Sequence, residues 1–280
     1  MKIGVWGCYN QGFLCDDLIY KAIEEEIKRQ DRTIEVSPCN CNQYMEPDAF
    51  IVGGGTIIGD PLKQFSHNGK PYVIFGAGYR ETPDINILKR AKCVKTRGEL
   101  SARKLRAMGL WAESCGDPVI LLDVPQIQTS HSVMIPRKPE VNQPAFSWLL
   151  EQEADVGIIM NPNEDYTSRV TSLNVKKWFC LNDIEKALPI LLAANRITSA
   201  RLHPFLLGLM LGIPSSTFQF EFDKVDDALS GLGLQDIVTR EGFIRKIEGE
   251  EQLKLAQEKI KQIREAMQKL VGEILECLIT

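Results

Sequence analysis

The chain is poor in histidine, with three in 280 residues, and its eight cysteines include no Cys-x-x-Cys pair. Cys8, Cys15, Cys39, Cys41, Cys93, Cys115, Cys180 and Cys277 are scattered, and Cys39-Asn40-Cys41 alone is too little for a zinc site. No metal is expected, and the cysteines read as reduced, half-buried small hydrophobes. No uninterrupted apolar run approaches the roughly 20 residues that cross a bilayer, and the N-terminus lacks a charged segment followed by an apolar one. The expectation is a cytoplasmic protein with no membrane span. Excess positive charge is missing too. A formal net charge of −4 and a pI of about 5.6 argue against a protein that grips nucleic acid by neutralising a run of phosphates. Neither a Gly-Lys-Ser/Thr phosphate loop nor a G-x-G-x-x-G fingerprint occurs, and no short-period repeat is evident.

What is present has a globular balance, 44% hydrophobic and 25% charged. Its pattern is strands that run into glycines, alternating with helices. "MKIGVWG" has β-type alternation, and Leu18, Ile19, Ala22, Ile23 and Ile27 then mark one face of a helix. "TIEVSP", "DAFIVGGG", "YVIFGAG" and "CVKTR" read as further strands, and "ELSARKLRAMGL" as an amphipathic helix. Prolines and polar residues at 116–132 interrupt the series, which places a boundary near 124–131. A second series follows, with strands at 132–137, 155–162, 175–179, 196–200 and 214–220 and helices at about 143–153, 183–194 and 203–212. Such alternation implies α/β architecture with mostly parallel, doubly wound sheets. The expected organisation is a Rossmann-like domain over 1–127, a second over 128–249, and an amphipathic helix over 250–280, with a cleft between the domains. In the helix, Leu253, Ala256, Ile260, Ile263, Met267, Leu270 and Ile274 keep a 3,4 spacing. That stripe either bridges the chain's own halves, the first choice, or pairs subunits of a homo-oligomer through 250–279.

The candidate binding residues collect where strands end. Gly53, Gly54 and Gly55, then Gly76 and Gly78, let backbone N–H groups approach a ligand or let strand and helix pack tightly. Arg97 and Arg137 end strands, Arg201 and His203 flank a helix start, and Lys224 follows "FEFD". A helix N-terminus offers unpaired N–H groups and the positive end of a dipole, so Arg201 and His203 suit an anion, although a merely polar helix entrance reads the same locally. Asp117 and Asp223 are the acidic candidates, and Asp117 also fits as a cap of the turn before Pro118. Asp183 reads as a helix N-cap. His67 belongs to a loop that would need to fold over the cleft, and His131 lies in the connecting region.

"GGGTIIGD", "VIFGAGY", "KTRGELSARKLRAMGL", "GDPVILL" and "ITSARLHPFLLGLMLGIPSSTFQFEFDKV", in that order, resemble the polysaccharide pyruvyl transferase family over roughly residues 1–230. Arg201-Leu202-His203, an apolar helix ending Gly-Ile-Pro, and the Asp223-Lys224 pair are the most specific part. The resemblance implies two domains arranged as in B-type glycosyltransferases. It also implies transfer of the enolpyruvyl group of phosphoenolpyruvate to sugar hydroxyls, commonly as a ketal, with no further cofactor and with Arg201 and His203 touching the donor. The N-terminal loop resembles the family's Gly-Asn-x-Gly-Asp, which brings in Asn10. Its spacing differs around Asn10, Gly12 and Asp16, with Cys15 where glycine is expected. Gly98 follows Arg97 where members commonly have Asp, and Pro204 replaces a small residue. The residues leave two other readings open: a B-type glycosyltransferase using a nucleotide sugar, and a silent relative that acts in binding or assembly.

Overall fold

The computed structural model describes residues 1–7, 9, 14–39, 46–125, 131–137, 143–160, 170, 172–181, 183–219 and 223–279. Asn10, Gly12, Cys8, Cys41 and most of the expected 124–131 boundary lie outside these residues.

Short apolar runs that end at glycine or a polar residue become strands, as alternation requires. β1 (Lys2–Trp6), β2 (Glu35–Cys39), β3 (Ala49–Gly53), β4 (Tyr72–Ala77), β5 (Val94–Thr96) and β6 (Glu113–Ser114) form one sheet in the order β2-β1-β3-β4-β5-β6. Every pairing in it is parallel. β7 (His131–Ile135), β8 (Glu153–Ile159), β9 (Asn174–Cys180), β10 (Ala194–Ser199), β11 (Ser215–Phe218), β12 (Thr239–Glu241) and β13 (Ile244–Ile247) form the second, in the order β12-β13-β11-β10-β7-β8-β9. Its β7 to β11 part is parallel, and the β12–β13 hairpin adds antiparallel to β11. Sequence reading did not foresee that hairpin, nor β6, because their strands are only two to four residues long.

Among the described residues the helices are α1 (Leu14–Gln30), α2 (Ile85–Arg90), α3 (Glu99–Ala107), α4 (Gln143–Leu150), α5 (Ile184–Leu192), α6 (Leu202–Leu211), α7 (Lys224–Gly231) and α8 (Glu250–Ile279). Asp183 caps α5, its side chain accepting from the Glu185 N–H. Two α/β units with Rossmann-like parallel sheets and a long closing helix make this a fold of the B-type glycosyltransferase kind. Among the described residues, no helix is long and apolar enough to cross a membrane.

Each sheet has a point where strand order reverses: β1 lies between β2 and β3, and β7 lies between β8 and β10. Loops leave such strands in opposite directions and open a crevice at the carboxyl edge, where ligands of these folds bind. α1, which follows β1, and Arg137, which follows β7, stand at those two points.

The stripe on α8 is spent within the chain. Leu253, Ala256, Ile260, Met267, Val271 and Ile274 are buried in one core with α1, α6 and the turn 118–121. Burying each large side chain stabilises by roughly 1.5–3 kcal/mol. Polar contacts set the register of the helix. Gln257 Nε2 donates to the Met210 carbonyl of α6 at 3.2 Å, and Arg264 Nη2 donates to the carbonyls of Leu121 and Leu122 at 3.0 and 2.5 Å. Gln268 Nε2 reaches Glu26 of α1 at 3.4 Å, so α8 ties the two sheet units together.

Candidate functional site

Arg97 leaves the carboxyl end of β5 and enters α3 with no exposed surface. Its guanidinium lies across Gly78, where a β-carbon would stand 2.4 Å from Nη2. Gly78 thus leaves room for the guanidinium in this position, which a larger residue would push aside. Nη2 stands 3.5 Å from both Thr56 Oγ1 and Asp227 Oδ2, while Nε and Nη1 meet no partner. Asp227 comes from α7, in the other half of the chain. Its carboxylate also accepts from the Ser101 backbone N–H at 2.9 Å and the Ser101 hydroxyl at 2.7 Å. Gly98 is the N-cap of α3 and has no side chain to cap with, so Asp227, together with Ser230 on Glu99 N–H, supplies the cap from outside.

Arg201 and His203 open α6. Arg201 is the N-cap in extended backbone, with its N–H on Ser199 Oγ at 2.9 Å, and is half-buried. His203, fully buried, points Nε2 at Asp117 Oδ2 across 3.5 Å. Pro204 falls on the third helical position, where an N–H has no intrahelical acceptor, so the proline costs the helix no bond. α6 ends at Gly212, whose φ of 70° is the left-handed conformation that glycine adopts without strain.

Asp117 both caps the turn 118–121, accepting from Val119 N–H at 3.1 Å, and turns Oδ2 toward His203. The cap and the imidazole contact use different oxygens, so the two sequence readings of Asp117 coexist. Burial would lower the His203 pKa, but the Asp117 charge and contact, helped by Cys15, raise it to about 9. Burial likewise works to raise Asp117, and His203 and Arg97 outweigh it, so the carboxylate stays ionised below its usual range.

The opening of α1 completes the cluster. Burial raises the pKa of the half-buried Asp16, against the opposing charges of Lys224, His203 and Arg201. Cys15, 8% exposed, sets its Sγ 3.8 Å from Met160 Sδ and borders His203. Burial pushes that thiol up, but contact with His203 and the charge of Arg201 more than offset it. Lys224, the first residue of α7, is lowered by burial and by the like charges of Arg97 and Arg137. Asp223 before it adopts a positive φ of 51° and is exposed.

The structure therefore brings Arg97, Arg137, Arg201, His203, Lys224 and Asp117 to one crevice. The glycines sort differently. A β-carbon on Gly53 would stand 2.7 Å from the Phe75 carbonyl, on Gly54 2.2 Å from Ile19, and on Gly76 2.2 Å from Pro118. These three seat strands against their neighbours. Gly55 faces Asp16, at 3.6 Å from its Oδ1 to the β-carbon position, and so borders the crevice. His67 packs at a tilt against Tyr72 at the amino end of β4, and His131 faces the Ile190 carbonyl at the amino end of β7, both away from the strand ends that carry the cluster. Asp16, Cys15 and Asp227 join the site without having been among the candidate binding residues. The sequence signal for the first two was their place in the loop after β1, and for Asp227 there was none.

A family model described as polysaccharide pyruvyl transferase matches residues 16–218, well over half of the chain. This chain belongs to the polysaccharide pyruvyl transferase family. The match runs from Asp16 to the end of β11 and includes Arg97, Asp117, Arg201 and His203. Among solved structures, the UDP-GlcNAc 2-epimerase of Neisseria meningitidis bound to UDP-GlcNAc is similar at TM-score 0.52 and 14% identity, with all of both chains covered. A putative UDP-N-acetylglucosamine 2-epimerase from Listeria monocytogenes gives TM-score 0.54 and 12% identity over 96% of this chain and 90% of that one. An uncharacterised Klebsiella pneumoniae protein, KP1_0663, gives 0.50 and 15% over 81% and 87%. At such identities these likenesses speak for the fold of this pyruvyl transferase family member alone. No curated protein matches the chain.

Proposed function

We propose that the protein transfers the pyruvyl group of phosphoenolpyruvate to hydroxyls of a sugar in a cytoplasmic glycan or polysaccharide precursor, forming a ketal. The observation that carries this reading is the pair of buried guanidinium nitrogens left without partners, Arg97 Nε and Nη1, beside the His203–Asp117 pair. Buried polar groups are ordinarily satisfied, so cationic ones left open together mark the seat of an anion.

Phosphoenolpyruvate carries a carboxylate and a phosphate on adjacent atoms. Arg97, Arg201 and Lys224 supply charge for both, with Arg137 behind Lys224. His203, protonated at neutral pH, delivers a proton to the methylene carbon and leaves C2 open to a hydroxyl oxygen. Asp117 holds the imidazole in place and favours its charged form. Asp16, with its raised pKa and its place at the mouth, takes the proton of the attacking hydroxyl. Fixed positive charge then stabilises the departing phosphate without reorganising, and a second sugar hydroxyl bonds to C2 in its place, its proton passing to the now neutral His203, which closes the ketal.

A thermal-shift titration tests the donor site. Phosphoenolpyruvate at 100 times its dissociation constant stabilises the native state by about 2.7 kcal/mol. The expected result is a saturable shift in the wild type that is lost in Arg201→Ala, with inorganic phosphate weaker. A shift with nucleotide sugars alone would move the assignment to a glycosyltransferase, and no shift with any ligand to a silent binding protein.

A further inference from the structure

Cys15 is the one described cysteine in the crevice, and its surroundings differ from those of every other. Its thiol can donate weakly to Met160 Sδ at 3.8 Å, and its sulfur also borders the ring of His203. Asp117 stands on Nε2 of that ring at 3.5 Å. A thiol, an imidazole and a carboxylate in sequence form the constellation that activates a nucleophile. Three elements deliver it: α1 after the reversal strand β1, the N-terminal turn of α6, and the cap of the turn 118–121. Independent of the cysteine, the unpartnered Nε and Nη1 of the fully buried Arg97 mark an anion's place within the same cluster. The family resemblance set out above implies glycine at position 15.

We propose that Cys15 captures the enolpyruvyl donor covalently, its sulfur bonding to C2 of bound phosphoenolpyruvate; this rests on the donor assignment above. The proton on the His203 imidazolium passes to the methylene carbon, whose π electrons form the new C–H bond. The thiolate lone pair forms the S–C2 bond, and His203 is left neutral. C2 becomes tetrahedral, bearing sulfur, methyl, carboxylate and the intact phosphate ester. Nothing leaves in this step, so the protein gains the mass of one whole phosphoenolpyruvate. The reverse step returns the electron pair to sulfur and the proton to His203. Arg97 and Arg201 hold the donor anion against the cluster while Asp117 keeps the imidazole charged for the forward step.

The test is intact-protein mass spectrometry after incubation with phosphoenolpyruvate and rapid denaturation, run beside the thermal-shift titration on the same samples. Wild type is expected to gain one phosphoenolpyruvate, located at Cys15 by peptide mapping. Cys15→Ser and Cys15→Gly, the second restoring the family residue, are expected to lose the mass gain and keep the thermal shift. A saturable shift in wild type with no mass gain overturns covalent capture and leaves the donor site standing. A mass gain that persists in Cys15→Ser overturns the assignment to this residue. The absence of both signals overturns the donor assignment itself and the capture with it.

Discussion

The Asp227 carboxylate accepts from the backbone N–H of Ser101, 126 residues away in sequence and in the other half of the chain. The same carboxylate faces Arg97, so one side chain caps α3, pairs the buried guanidinium and joins the two halves. Asp227→Ala is expected to destabilise the protein by about 3–5 kcal/mol, because it leaves Arg97 buried without a counter-charge. Denaturant unfolding of the variant measures this. Asp227→Asn, which keeps an acceptor for Ser101, should lose less.

The family resemblance set out above implies Asp at position 98, and a β-carbon on Gly98 would lie 1.8 Å from the Asp227 carbonyl oxygen. Gly98→Asp therefore cannot restore the family's arrangement. It is expected to lower the melting temperature, with a cost of at least the roughly 1–3 kcal/mol of an overpacked core site. Gly98→Ala, carrying the same β-carbon without the charge, should show most of the loss, and that comparison separates crowding from electrostatics.

His203→Ala is expected to lower turnover by on the order of 10²–10⁴-fold while weakening donor binding less, as for loss of a proton-transfer group. Arg201→Ala should instead act chiefly on donor affinity. Steady-state kinetics with the donor varied distinguish the two, and equal losses confined to donor affinity would remove His203 from proton transfer.

His203 is held protonated up to about 9 by Asp117 and Cys15 against its burial. Below that pH the imidazolium charge attracts the donor; above it the charge is lost and affinity falls. Lys224, lowered by burial and by Arg97 and Arg137, loses its charge earlier than an ordinary lysine and adds to the fall. The other charged groups facing the ring are Arg201 and Asp16. Thermal shifts with phosphoenolpyruvate should therefore hold from pH 6.5 to 8 and shrink above 9. In Asp117→Asn the decline should begin at lower pH.

Ile260→Ala tests the closing helix away from the cluster. Ile260 is 4% exposed in the core shared by α1 and α6, and its truncation should cost about 2–5 kcal/mol. Donor affinity per folded molecule should remain, which a binding titration well below the melting temperature would show.

Strand, glycine and helix alternate so regularly up to residue 218 that both sheets, apart from β6 and the β12–β13 hairpin, could be read from periodicity. So could the positions of Arg97, Arg201 and His203, because strand ends and helix starts are local features. The partner of Arg97 was not legible. Asp227 lies within "DKVDDALSG", a short polar helix whose cap comes from Gln219 Oε1 on the Val225 and Asp226 N–H groups, not from Asp223 beside it. Glycine was ambiguous for a related reason. The same run of three serves packing at Gly53 and Gly54 and faces the crevice at Gly55, and only the approach of α1 separates these uses. Asp117 read as a cap or as a site residue because one carboxylate has two oxygens.

Gly98 meets the Asp227 carbonyl and Gly231 meets the Arg97 carbonyl so closely that neither admits a β-carbon. Backbone against backbone along this line leaves no side chains to slide or repack. Widening the crevice to admit a sugar chain either breaks a buried ion pair or swings about that line as a door about its jamb.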